Sequence, residues 1–147
     1  MSKTGDLLSE AALTVYRLNG QFLGAGDTLA KPAGMTVAWW QVLSAVPDKP
    51  MSVAEIARLR GLTRQGVQRT ADLLVDQGLA EYEPNPAHRR AKLLRPTAKG
   101  MAAIERIDPD LEALADRVVD ELGLDGLKQV IEALKQLSAA LDQVTRQ

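Results

Sequence analysis

Four long polar side chains, Arg64, Gln65, Gln68 and Arg69, are clustered within six residues of the chain. At helical spacing they lie on the outward side of a helix, and the apolar residues of the same segment lie on the inward side. Arginine can bind the edge of guanine through two hydrogen bonds, and glutamine can bind the edge of adenine in the same way. These residue types therefore predict a helix that reads base edges in duplex DNA. Its inward face comprises Val67, Ala71, Leu74 and Val75.

A second basic group lies in a loop between two stretches typical of short strands, at 79–83 and 91–95. The pattern predicts a β-hairpin with a basic tip formed by Arg89 and Arg90. Two prolines stiffen this loop, and a stiff loop loses little entropy on docking. Because the narrow minor groove of A·T-rich DNA attracts arginine, we expect Arg90 to enter that groove and Arg89 to lie nearer the phosphates.

The two helices before the hairpin have well-marked ends. Ser52 and Glu55 fit a capping box, in which each side chain bonds to the backbone N–H of the other residue. The helix that begins there ends at Gly61, and Thr63 caps the next helix, which carries the polar cluster. Two helices joined by a three-residue turn and followed by a basic hairpin predict a winged helix-turn-helix. A solvated helix face would explain the polar cluster alone, but the hairpin favours DNA binding.

The N-terminal segment predicts an amphipathic helix. Glycine disfavours helix, so we expect this helix to end, fray or bend at Gly20, Gly24 and Gly26. Thr36 is a good N-cap for a second helix, which is predicted to continue through Val46. The apolar face of the first helix is formed by residues three and four positions apart: Leu8, Ala11, Val15, Leu18 and Phe22.

The C-terminal third predicts two long helices. Thr97 caps the first, and Asp108-Pro109 either kinks it or restarts it, because Asp is a good N-cap and Pro suits the first helical position. Gly123 ends this segment, and Asp125 starts the final helix. The apolar stripe of the final helix comprises Leu127, Val130, Ile131, Leu134, Leu137, Leu141 and Val144.

The predicted fold class is mostly α with a small β-hairpin wing: a winged helix-turn-helix with N- and C-terminal dimerisation helices. The terminal helices offer more apolar surface than a small winged domain can cover. The last stripe could pack within one subunit, but this excess favours a homodimer. The dimer interface is expected to include Leu8, Val15, Leu127, Leu134 and Leu141.

Composition narrows the class of protein. The chain has 147 residues, one histidine and no cysteine, which excludes disulfides, cysteine nucleophiles and cysteine or multi-histidine metal sites. No glycine-rich phosphate loop is present, so we expect neither an enzyme nor a cofactor or metal. Residues 51–100 carry nine basic and five acidic side chains, whereas 101–147 carry five and ten, which indicates a polyanionic partner for the middle. Lacking a signal-peptide profile or membrane span, the protein is expected in the cytoplasm.

Five stretches have the pattern of a known family: MTVAWWQVL (35–43), SVAEIAR (52–58), GLTRQGVQR (61–69), DQGLAE (76–81) and NPAHRRAKLLRPTAKG (85–100). Through them the chain resembles the MarR family of bacterial transcription regulators. The resemblance implies one domain over 1–147. Within it, the implied segments are dimerisation helices at 5–31 and 110–146, a winged helix-turn-helix at 36–100, a recognition helix at about 63–77 and a wing at about 79–95.

The resemblance also implies partners: double-stranded DNA at a pseudo-palindromic operator, a second copy of the chain, and a small-molecule effector. We expect a repressor released by such an effector. The alternative is a winged-helix module for protein–protein interaction, which would not need an exposed basic reading face. The residues expected to bind DNA are Ser52, Thr63, Arg64, Gln65, Gln68, Arg69, His88, Arg89, Arg90 and Lys92, and the effector pocket is expected at Tyr16, Arg17, Trp39 and Trp40.

His88 departs from the family pattern. Family wings usually carry an acidic residue at this position, two before the tip residue, which would hold the arginine. Here Arg90 has no such carboxylate. A histidine that gains a proton beside a phosphate would strengthen DNA binding at lower pH, whereas a solvated loop histidine would have no effect. Both interpretations stay open from the sequence.

Overall fold

The computed structural model describes residues 2–146 as six α-helices, a short 3-10 helix and a three-stranded sheet. The helices are α1 (Lys3–Ala30), α2 (Val37–Leu43), α3 (Val53–Arg60), α4 (Arg64–Asp76), α5 (Ala98–Leu122) and α6 (Leu124–Thr145). The strands are β1 (Met51–Ser52), β2 (Ala80–Glu83) and β3 (Leu93–Pro96), all antiparallel in the order β1-β3-β2. The predicted fold class, mostly α with a hairpin wing, is confirmed.

The sheet contains a strand that the sequence does not predict. Met51 pairs with Leu94 and Ser52 with Leu93, so β1 covers the edge of β3 that β2 leaves free. A strand of two residues shows no alternation of apolar and polar positions, and its partner lies far along the chain. The second hairpin strand also begins later than predicted, since residues 91–92 belong to the loop.

The predicted helix ends around the helix-turn-helix are confirmed. The hydroxyl of Ser52 accepts from the N–H of Glu55 at 3.2 Å, and that of Thr63 accepts from the N–H of Gly66 at 3.0 Å. Gly61 ends α3 at φ +67°, a left-handed conformation that glycine adopts without strain. One half of the capping box differs. Because the backbone of Ser52 lies in β1, its hydroxyl rather than its N–H donates to the Glu55 carboxylate, at 3.2 Å.

Helix α1 continues through Gly20, Gly24 and Gly26, so the expected break is wrong. Gly26 is buried where α1 meets α2, and a Cβ at this position would overlap the side chain of Val37. The close approach of the two helices offsets the low helix propensity of glycine. Asp27 strengthens the contact, because its Oδ1 accepts from the N–H of Val37 at 2.7 Å, in the first turn of α2.

Two further helix ends differ from the prediction. Helix α2 ends at Leu43 rather than Val46, and the guanidinium of Arg60 donates to a carbonyl of its last turns, that of Gln41, at 3.1 Å. Helix α5 does not restart at Asp108-Pro109, which lies inside it, so of the two predicted alternatives the restart is wrong and the kink stays a prediction. Asp108 is therefore not an N-cap, although Pro109 cannot donate the usual helical hydrogen bond.

The chain divides into two compact units between Asp108 and Pro109. In the first, the buried core lies within residues 30–107 and includes the inward face of α4 as predicted, with Val75 half-buried. Among residues 2–146, no helix has both the length and the apolar character needed to cross a membrane. The largest fully buried side chains are Val42, Leu43, Val46, Ile56, Val67, Leu74, Leu94 and Ile107.

The second unit comprises the rest of α5 and α6, with Gly123 between them at φ +77°. Helix α6 begins at Leu124, one residue before the predicted Asp125. None of the described residues of this unit is buried, and Leu134 and Leu141 are 38% and 42% exposed. The apolar stripe of α6 is therefore largely uncovered in the single chain.

Candidate nucleic-acid interface

Three elements of the first unit border one cleft of about 560 Å³. These are the start of α3, the outward face of α4, and the wing, here meaning β2, the loop 84–92 and β3. The cleft brings together side chains from separate parts of the chain that the sequence predicts as DNA ligands. Six of the ten predicted residues line it: Ser52, Arg64, Gln65, Gln68, Arg90 and Lys92.

The other four predicted residues lie outside the cleft lining. Thr63 is exposed, and its hydroxyl caps α4. Arg69, His88 and Arg89 are exposed on α4 and on the wing. Ser52 lines the cleft but is 7% exposed, and its hydroxyl is engaged in the α3 cap. Ser52 therefore positions the start of α3 rather than offering a free hydroxyl.

Asn85 shapes the tip of the wing. Its Oδ1 accepts from the N–H of Ala87 at 3.0 Å, and its carbonyl accepts from the N–H of His88 at 3.2 Å. Asparagine favours such a turn because its side chain can replace a backbone acceptor. The turn directly precedes Arg89 and Arg90, so the basic pair is presented by an ordered loop.

The ion pairs of the described residues leave the basic tip unneutralised. Both recorded pairs involve Arg95, which lies 3.2 Å from Glu81 and 3.6 Å from Glu83 across the strands of the wing. Both acidic side chains of β2 are thereby engaged. The positive charges of Arg90 and Lys92 are therefore available to bind an external anion.

Tyr82 is a residue of the interface that sequence reasoning missed. Its hydroxyl donates to Asp72 Oδ1 at 2.6 Å, and Gln68 Nε2 lies 3.0 Å from both oxygens. Burial, followed by the hydrogen bond to Asp72, raises the pKa of Tyr82 well above its usual range, so the hydroxyl stays protonated. An aromatic residue in a strand indicates packing, and nothing in the local sequence reveals its polar partners on α4.

The far end of α4 is also held in place. The hydroxyl of Thr97 donates to the carbonyl of Gly78 at 2.6 Å, and Lys99 Nζ donates to the carbonyl of Gln77 at 2.9 Å. A cation at a helix C-terminus satisfies free carbonyls and interacts favourably with the helix dipole. The C-terminal end of α4, opposite the end that carries Arg64 and Gln65, is therefore held by two hydrogen bonds.

The four residues of the predicted effector pocket differ in exposure and surroundings. Trp39 and Trp40 are half-buried and pack against the core, whereas Tyr16 is 70% exposed on α1. Gly26, which lies next to Trp40, is ten residues from Tyr16, or about 15 Å along a helix. Arg17 lines a shallow depression formed by α1 residues alone. The effector pocket stays a prediction.

Comparison with known proteins decides the family. The model described as "MarR family" matches residues 33–91, which contain α2, α3, α4, β2 and all but the last residue of the wing loop. An uncharacterized protein of Mycobacterium tuberculosis is 35% identical over 136 residues, which cover 92% of this chain and 95% of the relative. The chain belongs to the MarR family.

Solved structures of MarR regulators have the same fold. A MarR family transcriptional regulator from Streptomyces coelicolor is 27% identical with a TM-score of 0.75, covering 92% of this chain and 96% of that one. The transcriptional regulator MOSR of M. tuberculosis, solved in complex with DNA, is 26% identical with a TM-score of 0.71, covering 88% and 96%. The chain is thus a winged-helix transcription regulator of the MarR type.

Proposed function

We propose that this MarR-family chain binds DNA sequence-specifically as a homodimer and represses transcription from a pseudo-palindromic operator. The observation that carries the proposal is the cleft between α4 and the wing, where predicted DNA ligands from these two elements meet. The DNA in the MOSR complex supports the same partner. A protein with this function acts on the chromosome, which agrees with the cytoplasmic location expected from the sequence.

The geometry favours α4 in the major groove and the wing beside it. Arg64 and Gln68 are one helical turn apart on the exposed face of the N-terminal half of α4, the part of a recognition helix that reaches base edges. Arg90 and Lys92 line the other side of the cleft, where they meet phosphates or the minor groove. In this arrangement α4 contacts the bases, and the wing contacts the DNA backbone or the minor groove.

A second copy of the chain would cover the exposed apolar faces. Fourteen of the seventeen large apolar side chains that are exposed among residues 2–146 lie on α1, α5 and α6. Burying such surface stabilises an assembly by about 25 cal/mol per Å². A two-fold dimer would place two recognition helices about one turn of DNA apart, which matches a pseudo-palindrome. Among the predicted interface residues, Leu8, Leu134 and Leu141 are exposed, and Val15 and Leu127 are half-buried.

In this proposal, transcription is repressed when the protein occupies its operator. A dimer that spans two successive major grooves covers DNA that RNA polymerase needs, so transcription falls when the operator is occupied. Release by a small molecule that binds near Tyr16, Arg17, Trp39 or Trp40 is the effector part of the proposal. A screen for compounds that dissociate the protein from its selected operator tests that part.

The main test is selection of bound sequences from random duplex DNA, followed by affinity measurements on the selected site. Arg64→Ala should lose about 1–3 kcal/mol at one operator position and relax specificity there. Arg106→Ala, an exposed arginine of α5 that does not line the cleft, is the matched control and should bind like the parent chain. Weak binding without any enriched sequence would contradict the proposal and favour the protein-interaction module.

A further inference from the structure

The hydrogen bonds of Gln68 define how its amide is oriented. Gln68 Nε2, Asp72 Oδ1 and the hydroxyl oxygen of Tyr82 form a triangle with sides of 3.0, 3.0 and 2.6 Å. Seen from the nitrogen, the two oxygens are only about 50° apart, whereas the two N–H bonds of an amide diverge by about 120°. One N–H bond therefore serves both oxygens, and the other N–H remains free.

The proton positions within this triangle follow from the groups themselves. The Asp72 carboxylate only accepts, so the single proton of the Tyr82 hydroxyl points to it across the short 2.6 Å contact. The tyrosine oxygen then accepts from Gln68. The amide nitrogen of Gln68 has one N–H bond on the same side as the carbonyl oxygen and one on the opposite side. Because the negative Asp72 carboxylate repels the carbonyl oxygen, the N–H bond on the opposite side faces Asp72. The carbonyl oxygen and the neighbouring N–H form a free edge in the cleft.

This free edge has the hydrogen-bonding pattern of an adenine reader. Adenine presents the N7 acceptor and the N6 donor side by side in the major groove, the complement of an amide N–H and carbonyl. We propose that Gln68 reads an adenine through this edge, and that Tyr82 and Asp72 are positioning residues that hold the edge ready. The inference rests on the proposed function, because it names the base that the proposed recognition helix selects.

The charge beside Gln68 argues for a base rather than a phosphate. Asp72 places a carboxylate 3.0 Å from the Gln68 nitrogen, and this negative charge repels a phosphate that approaches the same amide. A base edge carries no net charge and meets no such repulsion. The Tyr82 hydroxyl already donates its hydrogen bond to Asp72, so it cannot donate one to a phosphate.

The arrangement also links the wing to base reading. Tyr82 belongs to β2, whereas Gln68 and Asp72 belong to α4. A glutamine already held in one rotamer loses less entropy on binding than a free one. The wing therefore contributes to specificity at a base that it does not itself contact.

The experiment measures affinity for the selected operator and for versions with each of the other three bases at every half-site position. The parent chain should prefer adenine at one position by on the order of tenfold, and Gln68→Ala should remove that preference. Tyr82→Phe, which deletes only the hydroxyl, should lower the same preference about threefold to tenfold and leave other positions unchanged. In the Gln68→Ala background, Tyr82→Phe should have no further effect.

Controls separate positioning from folding. Gln77→Ala changes an exposed glutamine at the end of α4 and should leave every base preference unchanged. Asp72→Ala is a second positioning variant, in case Tyr82→Phe does not fold, and should lower the adenine preference in the same way. A Tyr82→Phe effect that persists without Gln68 would overturn the positioning role.

The failures of the two proposals are distinguishable. No enriched sequence for the parent chain would overturn sequence-specific binding and, with it, the adenine assignment. Enrichment with uniform weakening by Gln68→Ala on every sequence would leave the proposed function intact and show that Gln68 touches phosphate. A preference at the Gln68-dependent position for any base other than adenine would likewise overturn the inference.

Discussion

The two compact units of this MarR-family chain differ in how they cover their apolar side chains. Residues 2–108 enclose a core in which Ile56, Leu74 and Leu94 are completely buried, whereas no described residue after Asp108 is buried. The first unit also satisfies its polar atoms, since every buried side-chain nitrogen or oxygen among residues 2–146 has a hydrogen-bond partner. The buried core therefore lies in the first unit, whereas the apolar stripe of the second unit is exposed in the single chain.

Because of this difference, we expect substitutions in the two units to change different measured properties. Substitutions in the winged core should change the free energy of unfolding within one chain. Substitutions on the stripe of α6 should change assembly, and hence depend on protein concentration. Substitutions of the exposed basic side chains at the cleft, such as Arg64 and Arg90, should change neither and act on DNA binding.

The largest effect is expected at α6. Leu134→Asp would place a carboxylate in the apolar contact of the proposed dimer, a penalty that dissociation relieves. Sedimentation should show monomers or unfolded chains, and operator binding should be lost. Lys135→Asp, at the neighbouring exposed position, is the charge-changing control and should remain dimeric. A well-folded Leu134→Asp dimer would mean that the stripe packs elsewhere.

In the winged core, neighbouring leucines of α4 provide a matched pair. Leu74 is completely buried and Leu73 is 40% exposed. Leu74→Ala should lose about 2–5 kcal/mol of unfolding free energy, because it removes buried methyl groups and leaves a cavity. Leu73→Ala should lose less than about 1 kcal/mol in the same chemical denaturation experiment. Equal losses of unfolding free energy in the two variants would show that Leu73 and Leu74 do not differ in burial.

Alanine substitutions at two glycines of α1 should change the free energy of unfolding in opposite directions. Gly26→Ala forces a Cβ into the side chain of Val37 and should destabilise the protein by about 1–3 kcal/mol. At Gly24 a Cβ would meet nothing within 4 Å, so Gly24→Ala should stabilise the helix by about 0.5–1 kcal/mol. Thermal unfolding of both variants checks the pair, and two changes of the same sign would refute the packing argument.

At the wing, stability should not change but DNA binding should. Arg90→Ala should weaken binding most on operators with A·T-rich flanks, because a narrow minor groove concentrates negative potential. Arg89→Ala should weaken binding to all duplexes equally and reduce the log–log salt slope by about one. Titrations at several salt concentrations measure both. If Arg90→Ala has the same effect on every flank sequence, the minor-groove assignment is wrong.

Much of the winged part could be predicted because its signals are local. The caps at Ser52, Thr63 and Thr97 and the turn at Gly61 depend on residues within three or four positions, and all four are confirmed. The apolar period of α4 likewise identified its buried face. The candidate site followed from the same local information, because the outward face of a helix is defined once its inward face is known.

Predictions were less successful where a residue's environment comes from distant parts of the chain. Helix propensity indicated a break at Gly26, but packing against α2 keeps α1 helical. The start of α2 was identified from Thr36, but its end at Leu43 rather than Val46 was not. Residue type does not specify which surfaces meet.

The sequence by itself determined the caps of several helices and the inward and outward faces of α4, because hydrogen bonds at helix ends and apolar periodicity involve neighbours in the chain. Only the tertiary structure decided the strand β1, whose partner β3 is distant in sequence, and the contact of Tyr82 with Gln68 and Asp72. A hydroxyl on a strand has no local reason to choose those partners. It meets them because the core packs β2 against α4, and that packing depends on many residues at once.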